Sequence, residues 1–277
     1  MSNSVQRVIR SHPSSDGDGV KIRRVALFNE TVSDPFLMID ELRSDNPKDY
    51  IGGFPPHPHR GMETLTYLRQ GGLEHRDHLG NRGMIHSGGA QWMSAGRGII
   101  HSEMPSREAN GLHGFQLWIN LPAVNKMQAP DYRDVPATEI PVVQAGDVTV
   151  KAIAGSWSVN GETVEGALMN MAANAGILDV ELPAGSNVAI SAPAGHSLMA
   201  FVYDGELDLE SAVAPKSLVV FATGENSDCT LTSSTGAHLL LLAGKPIKEK
   251  IVHYGPFVMN TVAEIEQTID DYNRGRF

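Results

Sequence analysis

Residues 52–64 of the chain read GGFPPHPHRGMET, and two histidines, His57 and His59, lie two positions apart in this stretch. In a β-strand, side chains at positions i and i+2 point to the same face, so the two imidazoles can present nitrogen atoms side by side. The glycines and prolines before His57 predict a rigid turn that leads into the strand. The stretch therefore predicts one half of a metal site.

A second pair with the same spacing, His101 and Glu103, lies in QWMSAGRGIIHSEMP at residues 91–105. Seven of the eleven histidines of the chain fall in the region that contains both pairs, between positions 57 and 113. If the strands that carry the pairs are neighbours, the four side chains converge on one ion. Three imidazoles and one carboxylate suit a first-row transition metal and leave coordination positions open. We expect one divalent transition metal ion at these four side chains.

The composition of the 277 residues is that of a globular protein built from short strands. Apolar residues make up 41% and charged residues 19%, and the 28 glycines and 16 prolines favour many turns over a helical bundle. The length allows one large domain or two ordinary ones. The net charge of −10 argues against nucleic acid as a direct partner, because binding to phosphates requires a basic surface.

Cysteine content and hydropathy bear on the cellular location. Cys229 is the only cysteine, which excludes an intramolecular disulfide. The first residues, MSNSVQRVIRSHPSSDGDG, are polar and show no apolar core of a signal peptide. No apolar run approaches the roughly 20 residues that cross a bilayer. We therefore expect a cytoplasmic protein with no membrane partner.

Short strand patterns in both halves of the chain predict an internal repeat. A strand at residues 66–69 and another at residues 200–203 are each followed by a hairpin turn that contains glycine. The proline-rich segment 122–141 reads as the connector between the halves. We predict an N-terminal domain of residues 1–135 that binds the metal and a C-terminal domain of residues 136–277.

A full ligand set is visible only in the first half. Counting from the turn glycines places Ser191 and Pro193 at the positions of the first pair. The same count places Asp228 and Thr230 at the positions of the second pair. These residues do not repeat the ligand types, so the second half is predicted to be structural.

The end of the chain has the pattern of a helix. Thr261, followed three residues later by Glu264, predicts a capping box. Apolar residues then recur at helical spacing along one face: Val262, Ile265, Ile269 and Tyr272. A terminal helix of about four turns is predicted to complete the second half by packing.

The first pair also fits a known pattern. Gly53, His57, His59 and Glu63 match the cupin motif G-x(3)-H-x-H-x(3)-E, and the segment 83–101 matches the second motif, which ends near a histidine. The chain thus resembles the cupins, which are small antiparallel β-barrels that bind a metal in the barrel mouth.

Longer stretches resemble one group of cupins, the pirin family. They are GGFPPHPHRGMET, QWMSAGRGIIHSEMP, LWINLP, YGPFVMNT and DPFLMID. The resemblance runs from about Val20 to Phe277. Pirins are two-cupin proteins, and some members resemble quercetin 2,3-dioxygenases. The resemblance implies a mainly β fold, with two antiparallel cupin (double-stranded β-helix) barrels in tandem and a C-terminal helix.

The resemblance also implies a ligand set and a metal. The pirin ligands fall on His57, His59, His101 and Glu103, and the family metal is iron(II), although other divalent metals suit the same donors. The general cupin motif instead nominates Glu63 as the carboxylate. On an unbroken strand Glu63 would lie about 13 Å beyond His59, at about 3.3 Å per residue, so it could join the site only if the chain bends at Arg60 and Gly61. We therefore favour Glu103 as the ligand and interpret Glu63 as a hydrogen-bond partner near the ligands.

Two functions follow from the resemblance, and the first is preferred. It is a metal-dependent dioxygenase of quercetinase type: Glu103 accepts the hydroxyl proton of a flavonol-like substrate, and O2 then opens the ring with loss of carbon monoxide. The alternative is a pirin-like metal-dependent regulatory protein that acts through protein partners, for which an acidic surface is suitable. A cupin isomerase or small-molecule binder with another substrate also stays open.

The remaining candidate residues are interpreted as structural. The histidines in this group are His75, His78, His86, His113, His196 and His238. Trp92, Met93 and Trp118 could line the cavity but are interpreted as core residues. Arg60 and Arg97 are interpreted as ion-pair partners in preference to substrate clamps, and Cys229 as a small buried residue.

Overall fold

The computed structural model describes residues 4–28, 31–106, 110–222 and 227–277. These residues form 26 strands, which pair in antiparallel fashion, and one α-helix, α1 (Val262–Asn273). The strands up to residue 120 are β1 (Val5–Arg10), β2 (His12–Asp16), β3 (Val20–Ala26), β4 (Phe36–Ser44), β5 (Phe54–His59), β6 (Met62–Gln70), β7 (Gly72–Asp77), β8 (Arg82–His86), β9 (Ala90–Ser94), β10 (Ile99–Pro105) and β11 (Leu112–Asn120). The next strands are β12 (Asp131–Val135), β13 (Val142–Ala145), β14 (Val148–Ala154), β15 (Ser156–Val159), β16 (Glu162–Glu165), β17 (Gly176–Leu182) and β18 (Ser186–Ala192). The last are β19 (Ser197–Gly205), β20 (Leu207–Asp208), β21 (Ala212–Val213), β22 (Ser217–Phe221), β23 (Ser227–Ser233), β24 (Ala237–Gly244), β25 (Val252–Tyr254) and β26 (Phe257–Met259). Within the described ranges, no helix has the length and apolar character needed to cross a membrane.

The strands belong to two compact units, which we call the N-terminal and the C-terminal barrel. The N-terminal barrel comprises His12–Asn29, Phe36–Thr138 and Ile247–Phe277. The C-terminal barrel comprises Met1–Ser11, Glu30–Pro35 and Glu139–Pro246. Each unit therefore draws on more than one segment of the chain.

The N-terminal barrel contains a seven-stranded and a four-stranded sheet. Their strand orders are β12-β9-β6-β11-β4-β3-β2 and β5-β10-β7-β8, and β25 and β26 form a separate hairpin. Buried apolar side chains from strands of both sheets pack together, among them Ile22, Leu68, Leu73 and Ile85. Each such side chain stabilises the fold by roughly 1.5–3 kcal/mol.

The C-terminal barrel repeats this order with different strands. Its larger sheet runs β1-β22-β19-β24-β17-β14-β13, and its smaller sheet is β16-β15-β18-β23-β20-β21. Inward residues of these strands form one continuous apolar cluster that includes Val180, Ile190, Leu231 and Leu239. The matching orders show two antiparallel cupin barrels, as predicted.

Strand β5 lies at the edge of its sheet and carries the first histidine pair. Pro55, Pro56 and Pro58 lie within this strand and have no N–H to donate to a neighbour. An edge position tolerates them because only one side of the strand is paired. The sequence assigned Pro55 and Pro56 to a turn, whereas the strand already begins at Phe54.

Each end of the chain belongs to the compact unit that is formed mainly by the other half of the chain. One boundary between the units falls between Thr138 and Glu139, and the division into domains of residues 1–135 and 136–277 stays a prediction. Strand β1, however, pairs with β22 of the C-terminal barrel, and α1 belongs to the N-terminal barrel. Apolar packing of Ile265 with Phe257 and Met259 holds the helix there. An ion pair of 2.9 Å between Arg60 and Asp271 adds to it.

The C-terminal hairpin approaches the segment that follows the first histidine pair. Gly61 has a φ of +78°, and a Cβ at this position would lie 2.0 Å from the carbonyl oxygen of Val258, so only glycine fits. The buried Lys126 Nζ donates to the carbonyl oxygens of Gly61 (2.8 Å) and Val258 (3.0 Å). These contacts fasten the hairpin to the barrel.

Helix α1 begins as the sequence predicts. The Thr261 hydroxyl accepts a hydrogen bond from the backbone N–H of Glu264 at 3.2 Å. The Glu264 carboxylate accepts one from the backbone N–H of Thr261 at 2.8 Å. This reciprocal capping box satisfies two N–H groups that have no partner inside the helix.

Candidate metal centre

The two predicted ligand pairs lie on neighbouring strands. Strands β5 and β10 are antiparallel neighbours, and His101 lies opposite His57 in their register. His59 lies opposite Ile99, so the first pair is displaced along the strand relative to the second. A register irregularity between His101 and Glu103 accompanies this pairing.

Three of the four predicted ligands form a compact group. Each of His57, His59 and His101 offers one ring nitrogen, and these atoms lie within 4.8 Å of one another. The ring centroids are 4.4–5.0 Å apart. His59 and His101 are buried and His57 is half-buried, so the group opens toward one side.

In each histidine of the first pair, one ring nitrogen contacts a backbone group that lies outside the group of three histidines. His57 Nδ1 lies 2.8 Å from the carbonyl oxygen of Pro55, which leaves its Nε2 for another partner. His59 makes a hydrogen bond to the backbone of Pro256, and its Nδ1 is buried with no hydrogen-bond partner within the described ranges. Hydrogen bonds of this kind fix the ring orientation of metal-binding histidines.

His101 shows the same division of its two nitrogens. Its Nδ1 lies 3.3 Å from Nδ1 of His75, and its Nε2 is buried and lacks a hydrogen-bond partner in the part of the chain that the structure describes. A buried polar atom without a partner costs free energy. An unprotonated imidazole nitrogen is a common metal ligand, so the donor set fits a divalent transition metal.

The electrostatic environment keeps the imidazoles in the form that binds metals. Burial, and then the neighbouring His57, lower the pKa of His59 well below its ordinary value. Burial, followed by the neighbouring histidines His59, His57 and His75, does the same for the pKa of His101. Both rings are therefore neutral near pH 7, with a lone pair available.

Glu103 is buried close to these histidines but is held by other side chains. The Thr66 hydroxyl donates to its Oε1 at 2.8 Å, and Gln116 Nε2 lies 3.5 Å from its Oε2. Within the described residues, the group with ligand atoms inside 4.8 Å contains only the three histidines. Burial raises the pKa of Glu103, although His57 and Thr66 act in the opposite direction. Its roles as fourth ligand and as proton acceptor stay predictions.

Glu63 lies on β6, and the structure gives it an indole partner. The Trp92 Nε1–H donates to Glu63 Oε2 at 2.9 Å, and Glu63 is buried. Trp92, which the sequence suggested as plain core, thus has a polar role as well. The predicted place of Glu63 near the metal ligands stays a prediction.

His75 is a site residue that the sequence interpretation missed. It was interpreted as structural, yet its ring centroid lies 5.2 Å from that of His101, and its Nε2 lies 3.5 Å from Asp77 Oδ2. Burial lowers the pKa of His75, which Asp77 opposes. The spacing of His75 and Asp77 equals that of the two ligand pairs, and this signal could have drawn attention to them.

A cavity of about 740 Å³ lies against the metal centre and is large enough for a small organic molecule. His57, His59 and Glu103 line it on the side of the centre. The rest of its wall comes from distant segments, including Asp16, Arg24, Phe28, Trp118 and His253.

Aromatic rings form one wall of this cavity. Phe28 stacks on His253 with centroids 4.1 Å apart and an interplanar angle of 21°. Trp118 meets Phe28 edge-on at 6.1 Å and His59 edge-on at 5.2 Å. The sequence did not indicate His253 or Phe28, because they lie far from the ligand pairs along the chain.

Charged side chains line another part of the cavity. Arg24 donates to both carboxylate oxygens of Asp40, at 2.8 and 2.6 Å, and to Asp16 at 2.5 Å. Burial raises the pKa of Asp40, although Arg24 opposes the shift. With Asp18 also in the lining, the carboxylates outnumber the guanidinium, so this wall does not favour an anionic ligand.

Two antiparallel barrels with one strand order, and a group of three histidines beside a cavity in one of them, define a bicupin with a candidate metal centre. The chain belongs to the pirin family. The family model described as Pirin matches residues 19–119, and the model described as Pirin C-terminal cupin domain matches residues 177–277.

Known relatives cover nearly the whole chain. A Vibrio cholerae protein named "Putative quercetin 2,3-dioxygenase" is 47% identical over 275 residues, which are 99% of this chain and 97% of the relative. Human Pirin is 36% identical over 282 residues, covering 99% of this chain and 94% of the relative. The crystal structure of a quercetin 2,3-dioxygenase from Acinetobacter baumannii is similar with a TM-score of 0.91 at 29% identity, and the match covers 100% of this chain and 99% of that one.

Proposed function

We propose that the protein is a metal-dependent dioxygenase of quercetinase type that cleaves flavonol-like substrates with O2. The observation that carries the proposal is the group of His57, His59 and His101, which borders a cavity with an aromatic wall. Within this group, His59 Nδ1 and His101 Nε2 are buried and have no hydrogen-bond partner among the described residues. The likeness to quercetin 2,3-dioxygenases in sequence and structure supports it.

The metal in this proposal is a divalent ion, with iron(II) preferred, held by the three histidines and Glu103. When bound, such an ion supplies Lewis acidity that lowers the pKa of an enol hydroxyl of the substrate. Iron(II) is preferred by family resemblance, because ligand affinity alone would favour nickel or copper. The predicted cytoplasmic location is compatible with this choice of metal.

Glu103 is proposed to accept the proton of the substrate hydroxyl. Its raised pKa brings it closer to neutral pH than that of an exposed carboxylate, which makes it a stronger general base. The hydrogen bond from Thr66 to Oε1 holds the carboxyl group in one orientation, so Oε2 would receive the proton.

The cavity walls would orient a planar, uncharged substrate. Phe28, Trp118 and His253 offer aromatic surfaces on which a flavonol ring can pack. Asp16 and Asp40 can accept hydrogen bonds from phenolic hydroxyls, whereas Arg24 is already bound by both carboxylates. The overall reaction is balanced without a reductant: one flavonol and one O2 give one ring-opened product and one carbon monoxide.

Aerobic turnover of quercetin tests the proposal. Protein loaded with iron(II) should remove the flavonol absorbance, consume O2 and release carbon monoxide in equal amounts. The His57→Ala variant, which lacks one ligand, serves as the inactive control. Absence of turnover with iron, manganese, cobalt, nickel or copper would refute the substrate assignment.

A metal-dependent regulatory role through a protein partner is the second candidate. The net charge of −10 favours it, because an acidic surface suits a basic protein partner better than DNA. Pull-down with metal-loaded and metal-free protein separates the two cases. A partner retained equally by both forms would argue against regulation by the metal.

A further inference from the structure

Two side chains of strand β7, His75 and Asp77, form a hydrogen-bonded pair directly beside His101. In the register of β7 and β10, Asp77 lies opposite His101 and His75 lies opposite Glu103. His75 Nδ1 is 3.3 Å from His101 Nδ1, and His75 Nε2 is 3.5 Å from Asp77 Oδ2. Both side chains are fully buried. The pair thus contacts His101 through Nδ1, whereas Nε2 of His101 is buried with no hydrogen-bond partner in the described part of the chain.

The loop after β7 holds Asp77 as a hydrogen-bond acceptor. Its Oδ1 accepts the backbone N–H groups of Leu79 and Asn81, both at 3.0 Å, and its Oδ2 accepts the side-chain amide of Asn81 at 2.8 Å. An ionised carboxylate can only accept hydrogen bonds. Nε2 of His75 must therefore carry a proton in order to bond to Asp77.

The proton on Nε2 of His75 determines which nitrogen carries the proton in the ring of His75 and then in the ring of His101. A neutral imidazole with a proton on Nε2 has a lone pair on Nδ1, so His75 Nδ1 accepts a hydrogen bond. Among the described residues, the group that meets it is Nδ1 of His101 at 3.3 Å, which must then carry the proton of that ring. Nε2 of His101 is left with its lone pair, and it is the buried atom without a hydrogen-bond partner among the described residues.

A neighbouring strand fixes the plane of the His75 ring. Tyr132 on β12 stacks on it, with centroids 4.7 Å apart and an interplanar angle of 24°. The Tyr132 hydroxyl in turn donates to Asp134, which also accepts a hydrogen bond of 2.8 Å from Gln91. The ring of His75 therefore keeps the orientation that the hydrogen bond to His101 requires.

We propose that His75 and Asp77 are positioning residues of the metal centre, which set the tautomer of His101 so that its Nε2 is free to bind the ion. The proposal rests on the metal site of the proposed function but not on the flavonol substrate. Partners of this type contribute about 10–100-fold to metal affinity in other metalloproteins.

The tautomer can be measured directly in the metal-free wild-type protein. Two-dimensional ¹H–¹⁵N correlation spectra of histidine rings distinguish a proton on Nδ1 from one on Nε2. We expect His101 to carry its proton on Nδ1 and His75 on Nε2. A His101 ring protonated on Nε2 would overturn the proposal.

Substitution of Asp77 should reverse the tautomer. In Asp77→Asn, the amide oxygen stays with the backbone N–H groups of Leu79 and Asn81, so the amide nitrogen faces His75. The amide then donates to His75 Nε2, and the Asn81 side chain, which donates to Oδ2 in the wild type, turns its amide oxygen toward the new amide nitrogen. The proton of His75 moves to Nδ1 and that of His101 to Nε2. We expect Ni²⁺, chosen because it binds N/O sites tightly and is stable in air, to bind about 10–100-fold more weakly.

Two substitutions of His75 separate a positioning role from simple packing. His75→Phe keeps a ring for Tyr132 but offers no acceptor, so Ni²⁺ affinity should again fall about 10–100-fold. His75→Gln can accept from His101 and donate to Asp77, so it should retain affinity within a few-fold. His238→Phe in the C-terminal barrel is the matched control and should leave affinity unchanged.

The outcomes distinguish this proposal from the proposed function. Wild-type affinity for Ni²⁺ in both His75→Phe and Asp77→Asn would overturn it. If either of these variants fails to fold, the wild-type tautomer and His75→Gln decide. Failure of flavonol turnover would leave the tautomer and the Ni²⁺ measurements untouched, and would count only against the substrate.

Discussion

The two barrels share one strand order but fill their interiors with different residues. In the N-terminal barrel, β5 directs the imidazoles of His57 and His59, and β10 the carboxylate of Glu103, toward a cavity of about 740 Å³. In the C-terminal barrel, the strands at the same places in the order, β18 and β23, contribute Ile190 and Leu231 to a continuous apolar core. Among the described residues, a group of three possible metal ligands occurs only in the N-terminal barrel, so one strand order accommodates both a candidate metal centre and a purely apolar core.

The largest expected effect is loss of the metal ion when a histidine of the N-terminal barrel is substituted. His57→Ala or His101→Ala removes one of three ring nitrogens, so metal affinity should fall by more than the roughly 100-fold seen for partner residues, and stoichiometric metal should be lost. Elemental analysis measures the metal, and circular dichroism should show both barrels folded. His196→Ala in the C-terminal barrel should keep the metal. Stoichiometric metal in His101→Ala would contradict the site.

A substitution in the core of the C-terminal barrel should lower the stability of the protein and leave its metal content unchanged. Leu231 is fully buried, and Leu231→Ala should lower the free energy of unfolding by about 2–5 kcal/mol, through lost burial and a cavity. Urea unfolding measures this effect. The exposed Leu79→Ala should change stability little. The metal content of Leu231→Ala should equal that of the wild type. Loss of metal from this variant would show that metal binding in the N-terminal barrel depends on the core of the C-terminal barrel.

A smaller effect should separate the two buried carboxylates of the N-terminal barrel. Glu103→Gln keeps the shape but removes the charge of the predicted ligand, so metal affinity should fall about 10–100-fold. Glu63→Gln, beside Trp92, should change it little. Metal titration of both variants measures the difference. Unchanged binding in Glu103→Gln together with loss in Glu63→Gln would show that the carboxylate assignment is wrong.

The smallest expected effect is a loss of stability of the metal-free protein at acidic pH. The pKa of His59 and of His101 in the folded chain lies well below 6.5, so at pH values below 6.5 the unfolded chain binds protons that the folded chain does not. Stability should therefore fall as the pH drops below 6.5, by about 1.4 kcal/mol per pH unit and histidine. Glu103 acts in the opposite sense, because its raised pKa lets the folded chain retain a proton. Urea unfolding at pH 7 and 5.5 should show a smaller loss in His101→Phe than in the wild type, and an equal loss would contradict the shift.

Local spacing in the sequence predicts the parts of the site that lie close together along the chain. The i, i+2 spacing of His57 and His59 depends only on strand geometry, so the grouping of these two rings with His101 could be expected, whereas Glu103 as fourth ligand stays a prediction. The same is true of the capping box at Thr261, which is a local hydrogen-bond pattern. The repeat was also visible, because the same hairpin signal occurs twice.

Counting along the internal repeat predicted the strands of the second barrel, but it did not predict which side chains of those strands point inward. The count pointed to Ser191 and Asp228, whereas the inward residues of β18 and β23 are Ile190 and Cys229, one position away. Side chains alternate between the faces of a strand, so an error of one residue reverses the face. The conclusion that this barrel lacks the ligand types is the same for either register.

Contacts between distant segments could not be derived from the sequence. The pairing of β1 with β22, the return of α1 to the N-terminal barrel and the wall formed by Phe28 and His253 join residues far apart along the chain. No local pattern encodes such pairings. His75 illustrates the same point, because a single histidine gains a role only through its neighbours in the fold.

The assignment of Ile247–Phe277 to the N-terminal barrel has a consequence for biosynthesis. A ribosome delivers the chain in the direction from the N-terminus to the C-terminus, so His59 has no Pro256 beside it until residues 60–255 have been translated. The C-terminal barrel, by contrast, has all of its strands by residue 246. The histidine group of the N-terminal barrel thus gains its Pro256 contact only after all strands of the C-terminal barrel have been translated.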